Sequence, residues 1–84
     1  MKIAIDYDGT YTMDPKLWDW FITQATLRGH EVKIVTMRRP GEVVKNPPCE
    51  VVYTSRTAKI NSYRADIWID DQPHMVINNH WSIE

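Results

Sequence analysis

The sequence predicts a small α/β domain, three layers deep, with a short, mainly parallel sheet at its centre. Short runs rich in apolar and β-branched residues recur at residues 2–6, 31–36, 50–53 and 65–70, and the first two are separated by a segment of helical periodicity. Alternating strands and helices are the pattern of parallel strands joined by crossovers. Three of the four runs end in polar residues, Asp6, Thr36 and Asp70, and chemistry on such sheets collects beyond the carboxyl ends of the strands.

Each element has its own signal. Residues 2–6 form an apolar run that stops at an acidic turn, as a buried strand does. Asp14 can accept from the free amides of a helix start, Pro15 suits the first helical position, and Gly29 after Arg28 supplies a left-handed stop. Between them Leu17, Trp18, Phe21, Ile22 and Ala25 share one face, which would cover one side of the sheet. Trp20 and Leu27 fall on the other side of this helix and are candidates for a partner surface, including one between two copies of the chain.

The second strand, residues 31–36, completes a strand, helix, strand unit of right-handed parallel type. Pro40, Gly41, Pro47 and Pro48 leave residues 37–48 room for one helical turn at most. After the third strand at residues 50–53, Thr54 or Ser55 is expected to cap a short helix running to about Arg64. The fourth strand, residues 65–70, carries Trp68 as a core residue. A fifth, edge strand is expected at residues 75–77, followed by a tail reaching Ile83.

Composition narrows the function. At 84 residues the chain accommodates one core and no elaborate lid. Ten Lys and Arg against eleven Asp and Glu give a formal charge of −1, so no global attraction to nucleic acid or anionic lipid is implied. No stretch is apolar enough to span a bilayer, and Asp6 arrives too early for a signal-peptide core, so a cytoplasmic location is expected. The lone Cys49 excludes an internal disulfide and reads as a packing residue. His30, His74 and His80 lack the spacing of a shared metal site, and only His74 follows an acidic pair closely.

The chemistry concentrates in Asp6-Tyr7-Asp8-Gly9-Thr10 and Asp70-Asp71. The first string puts two carboxylates two residues apart as a strand ends, with Gly9 permitting a sharp turn. Oxygen ligands of this kind suit a hard cation such as Mg²⁺, and Asp70 with Asp71 can complete its site.

In this order the strings resemble the haloacid dehalogenase (HAD) superfamily. Residues 3–10, Ile-Ala-Ile-Asp-Tyr-Asp-Gly-Thr, resemble its motif I, and Ile34-Val35-Thr36 its motif II. Lys59 stands where motif III would, and Ile67-Trp68-Ile69-Asp70-Asp71 is similar to the double-aspartate form of motif IV. The resemblance implies a Rossmann-like HAD fold, here without a cap domain.

It further implies that Asp6 takes the phosphoryl group as nucleophile and that Asp8 protonates the leaving group and then activates water. Asp6, the Asp8 backbone carbonyl and Asp70 would hold Mg²⁺, with Asp71 a direct or water-mediated partner. Thr36, Lys59 and backbone amides near Asp8 and Gly9 would hold phosphate oxygens. Thr36-Met37-Arg38 resembles the family's Thr-Gly-Arg stretch, with Met37 in place of Gly, and Arg38 joins the candidate phosphate contacts. Asp two places after the nucleophile favours phosphate-ester hydrolysis over ATP-driven transport or dehalogenation.

The expected function is therefore that of a Mg²⁺-dependent phosphatase. The alternative is a catalytically idle module that binds metal and a phosphorylated ligand, or a protein partner. Ile69-Asp70-Asp71-Gln72-Pro73 resembles the Ile-Asp-Asp-Arg-Pro segment of the 5′-deoxyribonucleotidase branch, with Gln72 for Arg. This points to a nucleotide or a nucleic-acid end as substrate, with Arg38, Arg39 and Arg56 as contacts to added phosphates.

Overall fold

The computed structural model describes residues 1–79. Its described part is an α/β domain in which four parallel strands form one sheet, β1 (Lys2–Ile5), β2 (Glu31–Thr36), β3 (Val51–Tyr53) and β4 (Ile67–Ile69), in the order β3-β2-β1-β4. In register, Ile5 of β1 lies beside Ile34 of β2 and Ile69 of β4. The strand order reverses between β1 and β4, because the chain first builds outward through β2 and β3 and then returns to the other side of β1. Such a reversal opens a crevice at the carboxyl ends of the two strands, where ligands of open parallel sheets bind.

One α-helix, α1 (Pro15–Leu27), covers one face of the sheet. Asp14 caps it by accepting from the Leu17 N–H at 3.2 Å, with Pro15 in the first turn, and Gly29 ends it at φ +88. Ile22 and Ala25 pack on Ile3, Ile5 and Val32, joined by the half-buried Trp18 and Phe21. Ala4 of β1 and Val35 of β2, at odd offsets from these, face the other way and pack with Tyr63 and the half-buried Trp68. That period of two is what buries a strand on both faces. Fully burying a side chain such as Ile5 or Ile34 stabilises by roughly 1.5–3 kcal/mol.

Several expectations are corrected. The second face carries no α-helix among the described residues, so the sheet is not sandwiched between two helical layers. Instead of a helix from Thr54 to about Arg64, only a 3₁₀ turn at Lys59–Asn61 forms. Ser55 and Arg56 take φ +54 and +66, and the Thr54 and Thr57 hydroxyls each donate to the other's backbone carbonyl. This closed turn consumes the groups that would have started a helix.

In place of the expected edge strand at residues 75–77 there is a 3₁₀ turn, Pro73–Val76, which Ile77 caps. Pro73 fixes a helical φ there, and Met75 and Val76 are buried side by side. Leu17, assigned to the buried helix face, is 46% exposed, and Trp68 is half-buried rather than core. Residues 37–48 form the irregular loop expected of them, anchored by the buried Val44, whose N–H donates to the Tyr53 hydroxyl at 3.0 Å. Trp20 and Leu27 are 62% and 76% exposed. His80 and the tail to Ile83 lie outside the described residues. No helix among the described residues is long and apolar enough to cross a membrane.

Candidate active site at the strand reversal

The chain leaves β1 into a tight turn that α1 holds in place. Asp6 extends the β1–β4 ladder, its N–H donating to the Ile69 carbonyl at 2.9 Å, and its own carbonyl accepts from the Tyr11 N–H. The Trp18 indole N–H donates to the Thr10 carbonyl at 3.0 Å, and the Tyr11 hydroxyl donates to Asp19 at 2.6 Å. Both acceptor and donor side chains come from the first turns of the helix. Gly9 sits at φ +87, and a Cβ there would lie 2.5 Å from Asp71 Oδ2. The motif needs glycine for conformation and for space alike.

Three of the predicted carboxylates converge. Asp6, Asp70 and Asp71 each place one oxygen within 4.8 Å of the others. Lys59, with its side chain 2% exposed, inserts its ammonium between two of them, 2.7 Å from Asp6 Oδ1 and 2.6 Å from Asp70 Oδ2. The 3₁₀ turn at Lys59–Asn61, with Ala58 and Tyr63 buried on either side of it, carries this lysine to the site. Thr10, a ligand partner that sequence reading passed over, ties the cluster together. Its hydroxyl lies 3.1 Å from Asp6 Oδ2 and 3.3 Å from Asp71 Oδ1 and accepts from the Asp71 N–H at 3.2 Å.

One ammonium faces three carboxylates, and the imbalance shows in Asp6. Burial pushes its carboxyl up to about 7, helped by the Asp70 charge and the contact with Asp71, against the opposing pull of Lys59. An all-oxygen donor set with surplus negative charge fits a hard divalent cation. Asp6, Asp70 and Asp71 are thus the residues that could hold a cation such as Mg²⁺.

The other predicted residues are placed differently. The Asp8 side chain stands apart from this cluster and is gripped by Arg38, whose Nε and Nη2 donate to Oδ2 and Oδ1 at 2.9 and 2.8 Å. Thr36 ends β2, 1% exposed, and its Oγ1 accepts from the Arg38 N–H. The Gly9 N–H donates to Thr12 Oγ1 at 3.0 Å. Arg56 is bound to Glu42, whose carboxyl this contact holds down at about 2. Arg39 and His74 are exposed, and Cys49 packs half-buried beside the helix-covered core, where burial raises its thiol.

Next to the carboxylates runs an open groove of about 410 Å³, lined by Gly9, Thr10, Met13, Asp14, Leu17, Trp18, Ile69, Asp70 and Asp71. Only the turn at Tyr11–Met13 and α1 lie between β1 and β2, so no inserted domain covers the site from that side. The chain matches no protein-family model, no curated protein and no solved structure with which it was compared.

Proposed function

We propose that this protein is a minimal, capless member of the HAD superfamily that hydrolyses phosphomonoesters through an aspartyl-phosphate. The observation that carries this reading is the carboxylate cluster at the strand reversal. A buried carboxylate at the tip of β1 shares one ammonium with a second at the tip of β4, and a third stands within metal-binding reach of both. The resemblance of motifs I and IV adds to it.

In the proposed reaction an Asp6 carboxylate oxygen attacks phosphorus while the bond to the leaving oxygen breaks and Asp8 gives that oxygen a proton. Water then attacks the phosphorus of the aspartyl-phosphate, passes its proton to Asp8 and releases phosphate and free Asp6. Lys59 keeps Asp6 oriented and offers positive charge to the transferring group. Thr36 and Gly9 would help to hold phosphate oxygens after local rearrangement of their present hydrogen bonds. Mg²⁺, when bound at Asp6, Asp70 and Asp71, supplies the charge that lets an anion approach a phosphate ester.

The substrate we favour is the phosphate of a nucleotide or of a polynucleotide end. The similarity around residues 69–73 and the open groove beside the carboxylates support it. A dimer built on Trp20 and Leu27 would be one way to cover the site.

The test is phosphate release from p-nitrophenyl phosphate and from a panel of nucleotides and phosphorylated oligonucleotides in millimolar Mg²⁺. Asp6→Asn should abolish release while retaining the parent's circular dichroism. Turnover by that variant at the parent rate would exclude the mechanism, and binding of nucleotide without product by the parent protein would favour the idle module instead.

A further inference from the structure

Asp8 has the most demanding task in this reaction and the least obvious support. It lies in the turn beyond β1, its side chain is 37% exposed, and its carboxylate is not among the three that converge. Proton transfer requires the carboxyl within hydrogen-bond reach of the leaving oxygen at the moment of cleavage. A short side chain on an exposed turn does not hold one rotamer unaided.

What holds it is Arg38. The guanidinium fork takes both Asp8 oxygens at 2.8 and 2.9 Å and is itself fixed on several sides. Its Cζ lies over the Tyr7 ring, 4.9 Å from the centroid, its Nη1 donates to the Glu42 carbonyl at 3.4 Å, and its backbone N–H donates to Thr36 Oγ1 at 3.2 Å. Glu42 is pinned in turn by Arg56 at 2.9 and 3.0 Å and by the Arg39 N–H at 2.8 Å. A chain of hydrogen bonds, passing through the Glu42 side chain and backbone carbonyl, thus runs from the loop after β3, through the loop after β2, to the turn after β1.

We propose that Arg38 is the positioning residue for Asp8, aiming its carboxyl at the leaving-group oxygen rather than gripping the substrate phosphate itself. This rests on the phosphatase reading above. The fork engages one lone pair on each Asp8 oxygen, and a carboxylate has about four such sites, so acceptor capacity remains for the proton. With its Nε–Nη2 edge filled by Asp8 and Nη1 turned to the Glu42 carbonyl, the Arg38 guanidinium is engaged by the protein on both edges. Lysine cannot replace it, because a point charge fixes distance but not orientation.

The experiment compares two esters. p-Nitrophenyl phosphate departs as a stable phenolate and needs little proton donation, whereas 2-phenylethyl phosphate must leave as an alcohol. Asp8→Asn should lose far more on the alkyl ester than on the aryl ester. Arg38→Gln and Arg38→Lys should show the same discrimination, with kcat down roughly a hundredfold on the alkyl ester and less than about tenfold on the aryl one.

The double variant Asp8→Asn with Arg38→Gln should fall no further than Asp8→Asn alone. Equal losses on both esters, a loss confined to KM, or additive losses in the double variant would overturn the assignment. If Arg38→Gln fails to fold by circular dichroism, Arg38→Lys, which keeps the charge over Tyr7, decides by the same comparison. A parent protein that releases phosphate from neither ester would instead overturn the phosphatase reading, and the role of Arg38 with it.

Discussion

Replacing Lys59 by Met keeps most of the side-chain length and removes the ammonium that sits between Asp6 and Asp70. Both carboxylates stay where water reaches them poorly, with the Asp6 and Asp70 side chains 8% and 3% exposed. Removing one partner of a buried ion pair costs about 3–5 kcal/mol, because the remaining charge is left uncompensated. A chain of 84 residues has a total stability of roughly 4–13 kcal/mol, so Lys59→Met should lie near the edge of folding. At roughly 4–8 °C per kcal/mol, the melting temperature in metal-free buffer at neutral pH should drop by at least about 12 °C.

The loss should shrink in acid, where the uncompensated carboxyls take up protons, and Mg²⁺ should recover part of it by binding only the folded state. Calorimetric melting with and without Mg²⁺, at neutral and mildly acidic pH, measures all three effects. A variant melting within about 4 °C of the parent in metal-free neutral buffer would refute the argument that this lysine holds the cluster together.

Asp6 in the parent protein gives a pH dependence of defined sign. Its folded-state pKa, about 7, lies above its ordinary 3.8, so the folded chain binds the proton more tightly, and this group's contribution to stability falls as pH rises between those values. Mg²⁺ competes with that proton, so the melting-temperature gain from Mg²⁺ should be larger above neutral pH than in acid; an equal gain would count against Asp6 as a ligand. Gly9→Ala should cost about 1–2 kcal/mol for its left-handed backbone and weaken Mg²⁺ binding by displacing Asp71, and unchanged affinity in calorimetry would rule that out. Glu42 should titrate near 2 by NMR, against an ordinary 4.5, so its stabilising contact with Arg56 is lost as pH falls through that range. Arg56→Gln should bring the midpoint back up, and a Glu42 midpoint above 4 in the parent would contradict the ion pair.

The four strands and α1 were legible because burial on both faces demands unbroken apolar runs and because Asp14, Pro15 and Gly29 mark the helix ends with specific geometry. The segment after β3 was not. Thr54 and Ser55 look like helix caps, but the left-handed turns at Ser55 and Arg56 depend on hydrogen bonds that close only once Thr54 and Thr57 are in place. Met75 and Val76 illustrate a different ambiguity, since a short apolar pair fits a strand or a helical turn equally well, and Pro73 was the better guide. Leu17 obeys the helical period but belongs to the first turn, beside the open groove.

In the candidate site, Asp6, Asp70 and Asp71 stand at or just past strand ends in the sequence, whereas Lys59 stood out only through the resemblance to motif III; the structure brings these four side chains together. The grip of Arg38 on Asp8 required the register. β1 and β2 pair each residue with the one 29 positions on, as in Ile5 with Ile34, which brings the turn after β1 level with the loop after β2. No pattern within either segment carries that number.

The strand order has a consequence for how the protein comes to be assembled. β1, which delivers Asp6, is made well before β4, which delivers Asp70. Lys59 precedes β4 only slightly. A nascent or truncated chain that stops before β4 holds one carboxylate of the cluster and an open flank on β1, where the Asp6 N–H would lack its Ile69 acceptor. The three-carboxylate cluster is therefore complete only once β4 docks, and under the proposed Mg²⁺ site backbone amide exchange at Asp6 and along β4 should slow together when Mg²⁺ is added.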